Sequence, residues 1–347
     1  PLAITGQEAV WQRVWTRLGL SDEEVRAYFT GPAHLPWHRM SNIDRWQGPL
    51  PEEWIDGQLA LQQRILARER ELGMKPVLPA FAGHVPQELK RLHPDARITR
   101  VSYWGGFDDR YRCSFLDPMD PLFAVIQREF LTEQTRLFGT GHIYGADPFN
   151  EIDAPTWDPE TLAGMSRHIY ESMAEVDPEA VWLQMGWLFY ADPTHWTAEN
   201  IRAFLGAVPQ DRLLMLDYFC EFTEIWKQTE KFHGQPYLWC YLGNFGGNTM
   251  LSGNFHTVSA RMEDAFAHGG DNLRGVGSTL EGFGVNQFMY EFVLDKAWNT
   301  GIAADEWIAR LAGRRTGFRD PAARTGWRTL CDSVYTLPAQ TGQSPLT

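Results

Sequence analysis

Short apolar runs alternate with longer amphipathic stretches along almost the whole chain, and this alternation is the strongest constraint on its fold. The runs are Leu2–Thr5, Ala33–Met40, Pro76–Phe81, His142–Phe149, Val181–Trp187, Leu213–Phe219, Tyr237–Leu242 and Leu273–Leu280. Most are too short for helices, and several are bounded by Gly, Pro or polar turns, so they read as strands. Strands separated by helices imply a parallel sheet, and eight such units close into an α/β fold of the (β/α)8 TIM-like barrel type. A doubly wound open sheet is the alternative.

The intervening stretches carry helix signals. Ser21 and Glu24 have capping-box spacing. Trp54, Leu61, Ile65 and Leu72 fall on one helical face, and Gly73 and Pro76 follow as a stop. Asp158-Pro159-Glu160 reads as an N-cap, a first-turn proline and a helix-start acid. Stretches 117–139, 200–206 and 286–299 complete the pattern. The segment Arg97–Arg112 breaks it and reads as an insertion after the third strand, folded over the barrel mouth.

Composition narrows the function. Among 347 residues, 31 are basic and 44 acidic, a net charge of −13, which is the wrong sign for a nucleic-acid partner. The Arg64, Arg68 and Arg70 cluster is interleaved with Glu69 and Glu71 and reads as a solvated helix face. No apolar stretch is long enough to span a membrane. Cys113, Cys220, Cys240 and Cys331 are widely spaced and form no zinc-ribbon or redox motif, so buried free thiols are expected. Fifteen Trp lean toward carbohydrate chemistry, since indole faces stack on sugar C–H faces, although most Trp in any chain are core.

Barrel active sites lie at the C-terminal ends of strands. That filter selects Asn42, Phe81–His84, Asn150-Glu151, Trp187, Asp217, Asn244 and Glu281. Glu151 closes an apolar run behind Asn150, so the Asn amide is placed to hold a sugar's C2 substituent while the Glu reaches the glycosidic oxygen. Glu281 follows Thr279-Leu280 and precedes Gly282, as on a pocket floor. Two carboxylates about 5–5.5 Å apart across one bond serve a retaining glycosidase. His84 is either a hydrogen-bonded loop histidine or a ligand for a sugar hydroxyl. His34 and His38 have metal-ligand spacing, but Pro36 between them disfavours the helix this needs, and no metal site is assigned. Gly243–Asn248 lacks the residues of a phosphate loop, and no G-x-S-x-G elbow is present.

Longer strings carry a family resemblance. They include Gly6-Gln7-Glu8-Ala9-Val10-Trp11-Gln12-Arg13-Val14, Arg39-Met40-Ser41-Asn42 and Pro79-Ala80-Phe81-Ala82-Gly83-His84-Val85-Pro86. They continue with His142-Ile143-Tyr144-Gly145-Ala146-Asp147, Phe149-Asn150-Glu151, Gly186-Trp187-Leu188-Phe189, Trp239-Cys240 and Leu280-Glu281-Gly282. From Gly6 to about Gly317 the chain resembles glycoside hydrolase family 89, the retaining α-N-acetylglucosaminidases.

The resemblance implies an exo-acting hydrolase that releases terminal α-linked N-acetylglucosamine from glycans or glycoconjugates without a cofactor. It implies Glu151 as acid/base and Glu281 as nucleophile, with Asn42, His84, Trp104, Asn150, Trp187 and Trp239 binding substrate. Leu280 stands where the family usually has Pro. Glu151 is expected protonated at rest and Glu281 ionised. The resemblance makes a secreted, periplasmic or lysosome-like compartment plausible. It also implies a barrel over residues 1–318, with an incomplete first strand, and the start of a helical region over 319–347. On that basis the chain is expected to be a fragment, to expose apolar barrel surface and to act weakly if at all. The competing readings are a barrel glycosidase of another specificity, separable by pocket polarity around Asn42 and Asn150, and a non-catalytic glycan-binding barrel.

Overall fold

The computed structural model describes residues 1–243, 253–281 and 286–336. Its contacts divide the chain into two compact units, Pro1–Gln184 with Ala191–Leu213, and Met185–Tyr190 with Leu214–Thr347.

Val77–Pro79, Ile143–Gly145 and Val181–Met185, in the first unit except for Met185, form parallel strands, with Leu78 beside Tyr144 and Tyr144 beside Trp182. Leu2 makes an isolated parallel bridge to Val77. The Val77 N–H donates to Pro1 O at 2.7 Å, and the Ala3 N–H to Val77 O at 2.8 Å. In a parallel ladder the next donor would come from residue 79, but Pro79 has no N–H. The buried Gln62 side chain fills the gap: its Nε2 donates to Ala3 O at 2.8 Å and its Oε1 accepts the Thr5 N–H at 3.0 Å. Gln134 Nε2 donates to Pro79 O at 2.8 Å.

Gln62 also explains a correction. The helix Glu52–Glu71 forms as expected, but it buries Ile55, Gln62 and Leu66. Trp54, Leu61 and Leu72 are exposed. The inward face is one residue round from the apolar stripe because an amide, not a hydrocarbon, is needed against the broken ladder.

A second correction concerns Ala33–Met40. This run is a 3-10 turn, Pro32–His34, followed by the helix Leu35–Arg39, and not a strand. Pro36 lies in the helix's first turn, where its missing N–H is not needed and its fixed φ is helical. Counting apolar runs therefore overstates the strands by one. Two helix starts are as expected, whereas the stretches from 117 and 200 begin their helices at Pro121 and Ala198, behind the caps Asp120 and Thr197. Ser21 and Glu24 make the reciprocal capping box, and Asp158 accepts the Thr161 N–H at 2.9 Å with Pro159 in the first turn.

The segment that breaks the alternation belongs to a small antiparallel sheet in which Ser114–Leu116 lies between His84–Val85 and Ile98–Arg100. It carries the loop that bears Trp104.

Leu213–Asp217, Tyr237–Tyr241 and Leu273–Ser278, in the second unit except for Leu213, are parallel strands, with Asp217 beside Trp239 and Tyr241 beside Ser278. Helices Phe255–His268, Gln287–Trp298 and Ala304–Thr316 bury Phe255, Phe288, Phe292 and Trp307. The ring of Phe288 stacks on Tyr335 at 4.3 Å, so the chain after the helix Pro321–Ser333 closes on the same cluster. All four cysteines are buried free thiols. Among the described residues, no helix is long and apolar enough to cross a membrane.

Candidate active site

Glu151 follows the strand Ile143–Gly145 after a five-residue exit. Phe149 sits there at φ 62°, a left-handed conformation that costs a bulky residue energy. Burial of its ring, 5.6 Å from that of Phe115, holds it there. The strain sits two residues before Glu151 and fixes its direction. The half-buried carboxylate accepts two hydrogen bonds on one oxygen. Asn42 Nδ2 donates to Oε2 at 2.9 Å, and Trp104 Nε1 donates to the same atom at 3.0 Å.

Asn42 reaches Glu151 from its own strained turn, with Ser41 at φ 63°. Asn42 and Asn150 are buried to 2% and 5% exposure, and among the described residues neither side-chain oxygen accepts a hydrogen bond. Buried acceptors without donors are costly, and here they flank a carboxylate.

His84 is committed elsewhere. Its Nε2 lies 2.7 Å from Asp44 Oδ1. His38 Nδ1 lies 3.2 Å from the same oxygen. Burial alone would raise the Asp44 carboxyl, but the charge of His84 and the hydrogen bonds from both histidines outweigh it and hold it at about 2. Burial pushes the His38 imidazole down.

In the second unit, Glu281 is half-buried and follows the strand Leu273–Ser278. Thr279 fixes the strand's exit: its N–H donates to Tyr241 O and its hydroxyl to Tyr218 O, both at 3.0 Å. Burial raises the Tyr290 phenol, and the charges of Glu221 and Glu281 raise it further, so Glu281 lies within electrostatic range of that ring. The Tyr290 hydroxyl donates to Leu242 O.

Other strand-end candidates divide. Trp187 is half-buried against Tyr190, at 5.0 Å between ring centroids, and Tyr218, at 6.0 Å. Trp239 is fully buried, with its indole N–H 3.4 Å from Glu224 Oε1, and offers no surface to a ligand. Asp217 is also fully buried, and both its oxygens cap the helix Ile225–Gln228 by accepting the Ile225 and Trp226 N–H groups. It is a structural cap, not a pocket acid. Phe81 is core, its backbone clamped by Gln127. Asn244, like the rest of the Gly-rich run after Gly243, lies outside the described residues, as does Gly282.

Sequence reasoning missed Asp44 and Cys113. Asp44 lies 40 residues from His84 and 69 from Cys113, so no local spacing announces the cluster.

A family model described as alpha-N-acetylglucosaminidase (NAGLU) tim-barrel domain matches residues 1–300. The chain belongs to this family. Its fold is accordingly the α/β TIM-like barrel of the α-N-acetylglucosaminidase family. Human Alpha-N-acetylglucosaminidase is 46% identical over 337 residues, covering 96% of this chain and 45% of the human protein. A family 89 glycoside hydrolase from Clostridium perfringens, solved with 2-acetamido-1,2-dideoxynojirmycin, aligns with a TM-score of 0.86 at 27% identity. That match covers 99% of this chain and 38% of the clostridial one. A variant of the clostridial protein with two glutamates changed to glutamine, in complex with its substrate GlcNAc-α-1,4-galactose, aligns equally well. The chain thus spans less than half the length of either relative.

Proposed function

We propose that this protein is an exo-acting retaining glycosidase that releases terminal α-linked N-acetylglucosamine, with Glu151 as acid/base and Glu281 as nucleophile. The observation that carries the reading is the Glu151 carboxylate, aimed by a strained buried residue and held on one oxygen by Asn42 and Trp104. Membership of the α-N-acetylglucosaminidase family supports it, as do the clostridial complexes with 2-acetamido-1,2-dideoxynojirmycin and with GlcNAc-α-1,4-galactose.

The chemistry requires a protein nucleophile. In an α-linked N-acetylglucosaminide the C2 acetamido group is cis to the leaving group and has no path to C1 from behind. A carboxylate on the opposite face displaces the leaving group, and a glycosyl-enzyme forms. Glu281 takes that role. Glu151 gives its proton to the departing oxygen, then removes one from the water that hydrolyses the intermediate. The acceptor oxygens of Asn42 and Asn150 suit the donors of a sugar, such as an acetamido N–H or a hydroxyl. Trp187 supplies a half-exposed ring for the sugar's apolar face. We assign residues 1–318 to the barrel and 319–347 to the start of a helical region. The match of the family model to residues 1–300 supports the first.

The test is hydrolysis of a panel of chromogenic α- and β-glycosides by the intact protein. Turnover is expected for the aryl α-N-acetylglucosaminide and absent for the β anomer. Cleavage of β-glycosides alone would sink the assignment, and binding without turnover would favour a glycan-binding barrel.

A further inference from the structure

We propose that Asp44, His84 and His38 form a buried positioning device that holds Asn42 against Glu151. The inference rests on the reading of Glu151 as acid/base.

Asp44 gathers three elements onto one atom. Its Oδ1 accepts from His84 Nε2 at 2.7 Å, from His38 Nδ1 at 3.2 Å and from the Cys113 thiol at 3.4 Å. His38 lies on the helix Leu35–Arg39, His84 in the strand His84–Val85, and Cys113 just before the strand Ser114–Leu116. Among the described residues His38 Nδ1 faces two acceptors, Asp44 and the Ile43 carbonyl at 3.3 Å, so Nδ1 carries the proton. The Tyr28 ring packs against both imidazoles, 4.7 Å from His38 and 5.2 Å from His84.

The turn that presents Asn42 is therefore pinned at both ends. The Asn42 N–H donates to Trp37 O at 2.9 Å, and the Asp44 N–H donates to Tyr111 O at 2.9 Å. Between those two bonds Asn42 points its side-chain amide at Glu151. The anchor reaches the second donor as well. The Cys113 carbonyl accepts the Val101 N–H at 3.1 Å, which ties down the loop that carries Trp104. A misplacement of about 1 Å in such a site costs about 100-fold in rate, so a fixed Asn42 has kinetic value. His84 acts through Asn42 and is a positioning residue, not a sugar ligand. The three ligand atoms lie within 4.8 Å of one another, which would also suit a metal ion. The donors already filling Asp44 Oδ1 favour the hydrogen-bonded device.

The test is a double-mutant cycle on the intact protein, using aryl α-N-acetylglucosaminides with good and poor leaving groups. His84→Ala is expected to lose about 10- to 100-fold in kcat/KM with poor leaving groups and far less with activated ones. The same change made on Asn42→Ala is expected to lose little more, because the two act as one unit. His84→Gln, which keeps an N–H for Asp44, is expected to recover most of the loss. A sugar ligand would instead raise KM alike for every leaving group, and that result overturns the proposal. So do additive effects of His84→Ala and Asn42→Ala, or a stoichiometric metal in the purified protein that His84→Ala removes. If His84→Ala does not fold, Asp44→Asn carries the same cycle. Glu151→Ala separates the two readings. A flat leaving-group dependence there removes the acid assignment, whereas a steep one with an additive cycle removes the positioning device alone.

Discussion

The side-chain amide of Asn42 donates to the Glu151 carboxylate across 2.9 Å, although 109 residues separate the two in the chain. With Trp104 on the same oxygen, the carboxyl is oriented before any substrate arrives. Arranging the donors in advance removes reorganisation from the reaction step, which is where fixed dipoles are most effective.

Trp104→Phe keeps the ring and deletes the N–H on Glu151 Oε2. A hydrogen bond to a charged group contributes about 1.5–3 kcal/mol, so kcat/KM should fall about 10- to 100-fold. The loss should grow as the leaving group worsens, read from a series of aryl glycosides. An equal loss across the series would assign the Trp104 N–H to substrate binding and not to Glu151.

Glu281→Ala should abolish turnover, and azide should restore part of it by entering the vacated space. The azide attacks from the nucleophile's side, so the product should be the β-glycosyl azide, identified by NMR. An α-configured azide would remove Glu281 from the nucleophile role.

Buried Asp217 and Glu221 make stability depend on pH. Burial pushes both carboxyls up to about 7, against the pull of the backbone N–H groups they accept. The folded state therefore holds their protons more tightly than the unfolded chain does. Their contribution to stability is full below about pH 4 and is lost as pH rises to about 7. The thermal midpoint should fall between about pH 4.5 and about pH 7.5, and Asp217→Asn with Glu221→Gln should flatten that slope. Asp44, held at about 2, works in the opposite sense, and only below about pH 4. A midpoint that rises toward neutral pH in the parent and is unchanged in the double variant would refute the assignment.

Gln62→Leu should destabilise the fold by about 2–4 kcal/mol, since it strands the Ala3 carbonyl and the Thr5 N–H. Denaturant titration would measure it. A neutral result would mean that water replaces the amide.

The alternation of runs was enough to reach an α/β barrel, because six of the eight runs are parallel strands and the Leu2 run supplies a bridge. Capping signals were legible at Ser21 and Asp158, where the capping group is local, but the equally local caps Asp120 and Thr197 went unread. Ala33–Met40 was misread because Pro36 breaks a helix in its interior but fits its first turn. Glu151 was legible as a strand-end carboxylate. That Asn42 and Trp104 converge on it was not, since each arrives from a distant turn whose direction only the packed structure sets. His84 was legible as chemistry-bearing, but its partner Asp44 has no local signature.

Pro79 withholds an N–H from the ladder, and Gln62 supplies one in its place from a helix. Neither residue makes sense alone. A relative with an ordinary residue at position 79 has a backbone donor for residue 3 and no use for a buried amide at 62. A relative that keeps the proline needs the amide or a substitute. The two positions should therefore vary together across descent, an inherited pairing that leaves its mark in aligned sequences.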